Sequence, residues 1–172
     1  MSIIQKVLFT KEECNLILEQ YINKPINQTE NNNNAKYSAK NMTYENDAWI
    51  LDKFIEWIQT ELNINVNWNG GSIKEFYLQS YQLGDRFKKH HDNKHNRVYA
   101  AGLLLNDDYL GGDFIVDNDK NTPITFNKII GNCYLFESYL THEVTEITEG
   151  NRNVVLIFLE SSQLLFKRKI LI

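Results

Sequence analysis

The chain has 172 residues, a length that suits one compact domain, and 42% of them are hydrophobic, which is enough for a buried core. Its net charge of -4 at pH 7 argues against a nucleic-acid partner, because such proteins usually carry a basic face. The sequence has no apolar run long enough to span a bilayer, and its first ten residues lack the regions of a signal peptide. We therefore expect a cytoplasmic protein without a membrane partner, in which Cys14 and Cys133 remain free thiols.

Two helices are predicted in the first 70 residues. Thr10 and Glu13 have the spacing of a capping box, and the apolar residues after them recur at helical spacing. A second apolar stripe, Leu51–Leu62, predicts a second helix, for which Asp47 is a candidate N-cap. These helices are expected to support the rest of the domain.

Residues 27–46, between the two helices, are polar and include four consecutive asparagines. A stretch of this composition buries too little apolar surface to offset the entropy lost when it becomes ordered, so we expect a long surface loop. Two interpretations of this loop remain open: a simple insertion, or a mobile flap over an active site.

The periodicity of the sequence changes after residue 72. Ile73–Tyr81 alternates between apolar and polar residues, as a half-buried strand does. Shorter runs typical of strands lie near residues 97–105, 113–116, 123–126, 132–137 and 153–160. Two helices followed by many short strands predict an α+β, mainly β fold, a β-sandwich or jelly roll buttressed by helices. The expected single domain, 1–172, divides into helical support with the polar loop (1–70), a jelly-roll core (72–160) and a C-terminal extension (161–172).

Three side chains of the second half form a candidate metal site. His90 and Asp92 follow a predicted strand, and His142 lies between two later strand-like runs. Two imidazoles and one carboxylate are the ligands of the facial triad that binds Fe(II), although ligand type alone leaves zinc open. Because residues two apart in a strand point to the same face, His90 and Asp92 can reach one ion, whereas His91 points away.

Arg152 is a candidate partner for an acid bound at this metal. It stands at the start of the last predicted strand, ten residues after His142. A guanidinium binds a carboxylate through two parallel charge-assisted hydrogen bonds. A dicarboxylate that chelates a metal with one end needs such a partner at its other end, so we expect Arg152 in the same cavity as the triad.

The order and spacing of these residues resemble the prolyl 4-hydroxylase-like group of the Fe(II)- and 2-oxoglutarate-dependent oxygenases. The similarity extends over about residues 72–160, and within it residues 107–112, Asp-Asp-Tyr-Leu-Gly-Gly, are particularly similar to the PKHD-type hydroxylases of bacteria. The motifs that carry the resemblance are, in chain order, Tyr81-x-x-Gly84-x-x-Phe87-x-x-His90-x-Asp92, Arg97, Leu103–Asn106, Gly111–Phe114, Gly131 with Leu135 and Phe136, and His142–Val144 followed by Arg152.

The resemblance implies a double-stranded β-helix core, the jelly roll of cupin-like proteins, buttressed by the N-terminal helices. It also implies that His90, Asp92 and His142 bind Fe(II) and that Arg152 binds the distal carboxylate of 2-oxoglutarate. These four residues would be the catalytic set.

Two further positions are implied as contacts of 2-oxoglutarate. Tyr81 matches a tyrosine that often contacts the co-substrate in this family. Leu104 stands where the family often has another tyrosine that touches the co-substrate, and Ala100 stands where it often has a threonine. Leu104 is therefore a candidate contact that has lost its hydroxyl group.

The implied activity is that of a dioxygenase that uses Fe(II), 2-oxoglutarate and O2, with ascorbate as a candidate reductant, to hydroxylate an unactivated C–H bond. Peptidyl proline is the preferred substrate, because the motifs are closest to the prolyl hydroxylases. A free amino acid, another protein side chain or a small metabolite is the alternative. A non-enzymatic cupin-like binding domain is a rival, against which the complete set of four residues argues. The oligomeric state is not determined by the sequence.

Overall fold

A computed structural model describes residues 3–66, 73–94 and 96–160, together with the backbone of 165–166. It contains two helices and a large curled antiparallel sheet that resembles a jelly roll, so the predicted fold class is confirmed. Most of the predicted C-terminal extension lies outside the described residues. Within the described part of the chain, no helix combines the length and the apolarity needed to cross a membrane.

The two halves of the chain differ in their secondary structure. The first half contains two helices and four short strands: β1 (Ile4–Val7), α1 (Lys11–Tyr21), β2 (Gln28–Asn31), β3 (Ala35–Asn41), α2 (Tyr44–Leu62) and β4 (Ile64–Asn65). In the second half, the regular elements of the described residues are strands: β5 (Ile73–Tyr81), β6 (Arg86–His90), β7 (Arg97–Leu104), β8 (Leu110–Gly111), β9 (Phe114–Asp117), β10 (Pro123–Thr125), β11 (Asn132–Glu137), β12 (His142–Val144), β13 (Ile147–Glu149), β14 (Arg152–Glu160) and β15 (Leu165–Phe166).

The two helices are joined by a buried polar contact. The predicted capping box is present in α1: the side chain of Thr10 accepts a hydrogen bond from Glu13 N at 3.2 Å, and Glu13 accepts one from Thr10 N at 2.8 Å. Helix α2 begins at Tyr44, before the predicted cap at Asp47. Asp47 lies instead at a kink inside α2, where its buried carboxylate accepts a hydrogen bond from the Tyr21 hydroxyl at 2.5 Å.

The prediction of a long surface loop over residues 27–46 is wrong. Strands β2 and β3 form an antiparallel hairpin, and the asparagine run lies at its turn. Strand β3 buries Ala35, Tyr37 and Ala39 at alternate positions, so it has the burial pattern of a half-buried strand. It pairs with β5 over one part of its length and with β6 over another, and thereby joins the two halves of the curled sheet. The small alanines made this alternation weak in the sequence.

The strands of the main sheet follow the order β1-β11-β7-β14-β5-β3-β6-β12-β9-β10. Alternate residues of one strand enter different clusters: in β14, Val155 and Ile157 pack with the helices, whereas Val154 and Phe158 face the opposite side. We call the cluster that includes α1 and α2 the helix-side core, and the cluster within the curl of the sheet the inner core. Both cysteines belong to the helix-side core and are free, as predicted.

Candidate active site

Two neighbouring strands bring the histidines of the predicted triad together. His90, the last residue of β6, is the direct partner of His142, the first residue of β12, and their ring centroids are 4.3 Å apart. The Asp92 carboxylate lies 3.2 Å from His142 Nε2 and 3.6 Å from His90 Nε2. The three candidate ligand atoms lie within 4.8 Å of one another, which is close enough to surround one metal ion.

Asp92 reaches the histidines for a reason other than the one expected. Strand β6 ends at His90, so His90 and Asp92 do not share the face of a continuous strand. Instead, the backbone N of Asp92 donates a hydrogen bond to the carbonyl oxygen of Ser138 at 2.8 Å, which fixes the chain after the strand end. His91 is exposed, as its predicted role outside the triad requires.

The hydrogen bonds of the two imidazoles prepare them to bind a metal. His90 Nδ1 lies 2.8 Å from the carbonyl oxygen of Lys88, and His142 Nδ1 lies 3.0 Å from that of Leu140. Because a carbonyl oxygen only accepts, each Nδ1 carries the proton and each Nε2 presents a lone pair to the site. Two lone pairs beside a carboxylate repel one another unless a cation lies between them, so the donor set fits a divalent metal.

The ionisation of the site also fits a metal. Burial, together with the charge of His142, lowers the pKa of His90 to about 4, so this imidazole is neutral at physiological pH. Burial opposes the ionisation of Asp92, but the nearby side chains of His142, His90 and Arg97 together lower its pKa. A neutral imidazole and an ionised carboxylate are the forms that coordinate a divalent ion.

Arg152 carries a buried charge beside this site. It is the first residue of β14, pairs with Tyr81 of β5, and is only 2% exposed. Its Nε and Nη1 atoms are buried and have no hydrogen-bond partner within the described part of the chain. Because an arginine is always charged, a buried guanidinium with free donors is costly unless an anion pairs with it. Arg152 therefore fits a carboxylate ligand.

One cavity of about 150 Å³ joins the triad to Arg152. Its buried side includes Arg152, Tyr81 and Tyr134, and its solvent side includes the exposed Gln28 and the half-buried Glu75. The cavity therefore offers space that extends from the unpaired guanidinium, past the candidate metal ligands, to the surface. This arrangement fits a small dicarboxylate at the inner end and a larger molecule at the outer end.

The structure places the two other candidate co-substrate contacts differently. Tyr81 is fully buried and lines the large cavity, with the Arg152 guanidinium 5.4 Å from the centroid of its ring. Leu104 does not line this cavity; it lines a smaller side cavity of about 20 Å³, into which Arg152 also projects. Ala100, by contrast, lines the large cavity.

Sequence reasoning gave no role to several residues of the cavity. Arg97 forms hydrogen bonds to Glu75 through both Nε and Nη2, and its Nη1 lies 3.8 Å from Asp92. Its guanidinium also stacks on Phe158, 3.9 Å from the ring centroid. The alternation of Glu75, Tyr77, Gln79 and Tyr81 along β5 was a signal that these side chains share a face. Tyr134 and the hairpin residue Tyr37 gave no comparable signal.

Comparison with known proteins identifies the family. Residues 76–160 match the sequence pattern of the 2OG-Fe(II) oxygenase superfamily. This part of the chain belongs to that superfamily. The match covers the segment that supplies His90, Asp92, His142 and Arg152, and it assigns the chain to an oxidoreductase class, the dioxygenases. Family membership implies Fe(II), 2-oxoglutarate and O2 as cofactor and co-substrates. No curated protein matches the sequence of this oxygenase.

Solved structures share the fold of this oxygenase over nearly its whole length. An oxidoreductase of the 2OG-Fe(II) oxygenase family from Burkholderia pseudomallei is similar with a TM-score of 0.76 at 12% identity, covering 96% of this chain and 88% of that chain. A Pseudomonas putida prolyl-4-hydroxylase has a TM-score of 0.71 at 15% identity, with 92% and 91% covered. A Trichoplax adhaerens prolyl hydroxylase in complex with a peptide fragment of hypoxia inducible factor has a TM-score of 0.73 at 16% identity, with 92% and 82% covered. At identities this low, the structural similarity supports a shared fold and nothing further.

Proposed function

We propose that this 2OG-Fe(II) oxygenase is a hydroxylase of peptidyl proline. In this proposal, His90, Asp92 and His142 bind Fe(II), and Arg152 binds the distal carboxylate of 2-oxoglutarate. The observation that carries it is the buried guanidinium of Arg152, whose free Nε and Nη1 share a cavity with the three metal-ligand candidates.

Each of these residues has a defined task. His90 and His142 present their Nε2 lone pairs, since their Nδ1 protons are held by backbone carbonyl groups. Asp92 supplies negative charge and is kept ionised by its neighbours. Iron, 2-oxoglutarate and O2 bound there supply the oxidation of an unactivated C–H bond. The side chains orient the two ligands and exclude water from the inner end of the cavity.

Arg97 holds the carboxylate ligand in place in this proposal. Its guanidinium is fixed by Glu75 and by stacking on Phe158, and its remaining edge faces Asp92. A positive charge at this position favours the ionised form of Asp92 and restrains its rotation. Arg97 is thus a positioning residue for the metal site.

The outer part of the cavity supports a substrate with a saturated ring. Its walls include the aromatic side chains of Tyr37, Tyr77 and Phe158 together with Leu156. Aromatic faces pack well against an apolar pyrrolidine ring, and the exposed outer side leaves room for the chain on either side of it. The solved P. putida and T. adhaerens enzymes are prolyl hydroxylases by name, which is consistent with this choice.

The test is the release of succinate from 2-oxoglutarate in the presence of Fe(II), O2 and ascorbate, the proposed reductant. Proline-containing peptides, free proline and other amino acids are added in parallel, and mass spectrometry detects the addition of one oxygen atom. We expect succinate release to rise with a prolyl peptide and the peptide to gain oxygen. Stimulation by a free amino acid alone would reassign the substrate. Failure of the protein to bind Fe(II) and 2-oxoglutarate together would contradict the proposed hydroxylase activity.

A further inference from the structure

The ring of Tyr134 crosses the neighbouring strand at a glycine. Tyr134 of β11 is the direct partner of Gly102 of β7, and Gly102 is the partner of Leu156 in β14 on its other side. A Cβ atom at position 102 would lie 2.1 Å from Tyr134 Cζ and 2.2 Å from its hydroxyl oxygen. Any other residue at Gly102 would therefore displace the ring. The glycine gives Tyr134 a path over β7 towards β14, the strand that begins with Arg152.

The hydroxyl group of Tyr134 reaches the neighbourhood of the Arg152 guanidinium. The two side chains interact, and both line the large cavity as well as the small side cavity. Tyr134 is 5% exposed, and burial raises the pKa of Tyr134 to about 12. The hydroxyl group therefore keeps its proton at physiological pH and can donate it in a hydrogen bond.

Strand β7 itself offers no hydroxyl group at this end of the cavity. Leu104 lies on the same face as Gly102, two residues further along the strand, and its side chain is apolar. A carboxylate beside the guanidinium would thus meet the free Nε and Nη1 of Arg152 in β14 and the Tyr134 hydroxyl in β11 as hydrogen-bond donors.

We infer that Tyr134 binds the co-substrate: its hydroxyl group donates a hydrogen bond to the distal carboxylate of 2-oxoglutarate, beside Arg152, and Gly102 makes this reach possible. The inference rests on the proposed function, because it requires 2-oxoglutarate to bind with that carboxylate at Arg152.

Tyr109 provides a matched control. Like Tyr134, it is about 5% exposed and interacts with the Arg152 guanidinium. Unlike Tyr134, it lines the small side cavity and not the large one. If tyrosine hydroxyl groups acted only by holding the guanidinium in position, Tyr109→Phe and Tyr134→Phe would have similar effects. If Tyr134 contacts the ligand, their effects differ.

The experiment measures the binding of 2-oxoglutarate to the Mn(II)-loaded full-length protein by calorimetry. We expect Tyr134→Phe to weaken binding about 10- to 100-fold, the size of a lost hydrogen bond to a charged group. Tyr109→Phe should change it less than about 2-fold, since Tyr109 does not line the large cavity. With 2-oxobutyrate, which lacks the distal carboxylate, Tyr134→Phe and the wild type should bind equally. In turnover, the KM for 2-oxoglutarate should rise in Tyr134→Phe while kcat changes little.

A second variant tests the role of Gly102. Gly102→Ala should weaken 2-oxoglutarate binding although the hydroxyl group is present, and adding Tyr134→Phe to it should cause little further loss. Wild type that fails to bind 2-oxoglutarate would contradict the proposed function itself. Wild type that binds, with Tyr134→Phe unchanged or with both phenylalanine variants equally weakened, would overturn the inference and leave the proposed function intact.

Discussion

The helix-side core and the inner core occupy opposite faces of the same strands, and they differ in composition. On the helix side, the central strands contribute mainly aliphatic residues, such as Leu103, Leu135 and Ile157. On the inner side they contribute aromatic residues, such as Tyr81, Tyr134 and Phe158. Aliphatic side chains fill space densely, whereas large rings with a polar atom make rigid walls that can also form hydrogen bonds. One face stabilises the fold, and the other surrounds the site.

The difference extends to charge. The inner face contains Arg152, whose guanidinium has free donors, next to two imidazoles and a carboxylate. An unpaired buried charge lowers the stability of a folded protein, and a ligand of opposite charge restores it. The comparison therefore predicts that substitutions on the inner face change binding, whereas substitutions on the helix side change the free energy of unfolding.

The largest effect is expected from the inner face at His142. His142→Ala removes one of three candidate ligands, so we expect metal affinity to fall more than about 100-fold and 2-oxoglutarate turnover to be lost. Metal binding is measured by calorimetry with Mn(II). The matched control is His91→Ala, since His91 is exposed and neighbours His90. Equal loss in both variants would mean that His142 is not a ligand.

Arg152→Ala should change the binding of 2-oxoglutarate without lowering the stability of the ligand-free protein. We expect 2-oxoglutarate binding to weaken by about 2–5 kcal/mol, because a desolvated charge pair is lost. The free energy of unfolding of the ligand-free protein should not fall, because the substitution removes an unpaired buried charge. Calorimetry and urea denaturation measure the two quantities. Arg86→Ala, which removes a partly exposed ion pair with Glu146, is the control and should leave binding unchanged.

Ile157→Ala tests the helix-side core. Ile157 is fully buried, so its truncation should lower the free energy of unfolding by about 2–5 kcal/mol. Leu156→Ala, one residue earlier on the cavity wall, should lower it by only about 1 kcal/mol, because Leu156 is half-buried. Urea denaturation gives both values. A larger loss from Leu156 than from Ile157 would contradict the division between the two faces.

The smallest effect is expected at the capping box, which lies outside both faces of the sheet. Thr10→Ala should lower the free energy of unfolding by about 1 kcal/mol, whereas Thr60→Ala, inside α2, should not lower it.

The hydrogen bonds from Lys53 and from Thr10 N lower the pKa of Glu13. The contribution of ionised Glu13 to the free energy of unfolding is therefore complete above the ordinary glutamate pKa of about 4.3. This contribution is lost as the pH falls through the lowered pKa. Glu13→Gln should thus be less stable than wild type at neutral pH and equally stable in acid.

The sequence predicted the strands that alternate strongly and missed those that do not. Ile73–Tyr81 alternates clearly, and β5 has these bounds. Strand β3 buries Ala35 and Ala39, which gave little contrast with their polar neighbours, and the adjacent asparagines favoured a loop. Asp92 was predicted to share a strand face with His90, but the strand ends at His90 and a backbone hydrogen bond to Ser138 positions Asp92 instead.

By itself, the sequence determined the types and the order of the functional side chains: two imidazoles, a carboxylate and a guanidinium, with the spacing of a known family. These are local chemical facts that do not depend on what lies nearby in space. Only the tertiary structure decided that β3 joins the two halves of the sheet, that Leu104 faces a side cavity, and that Tyr134 crosses Gly102 to reach Arg152. These features depend on the register between strands distant in sequence, and pairing over such distances is set by the packing of the whole core.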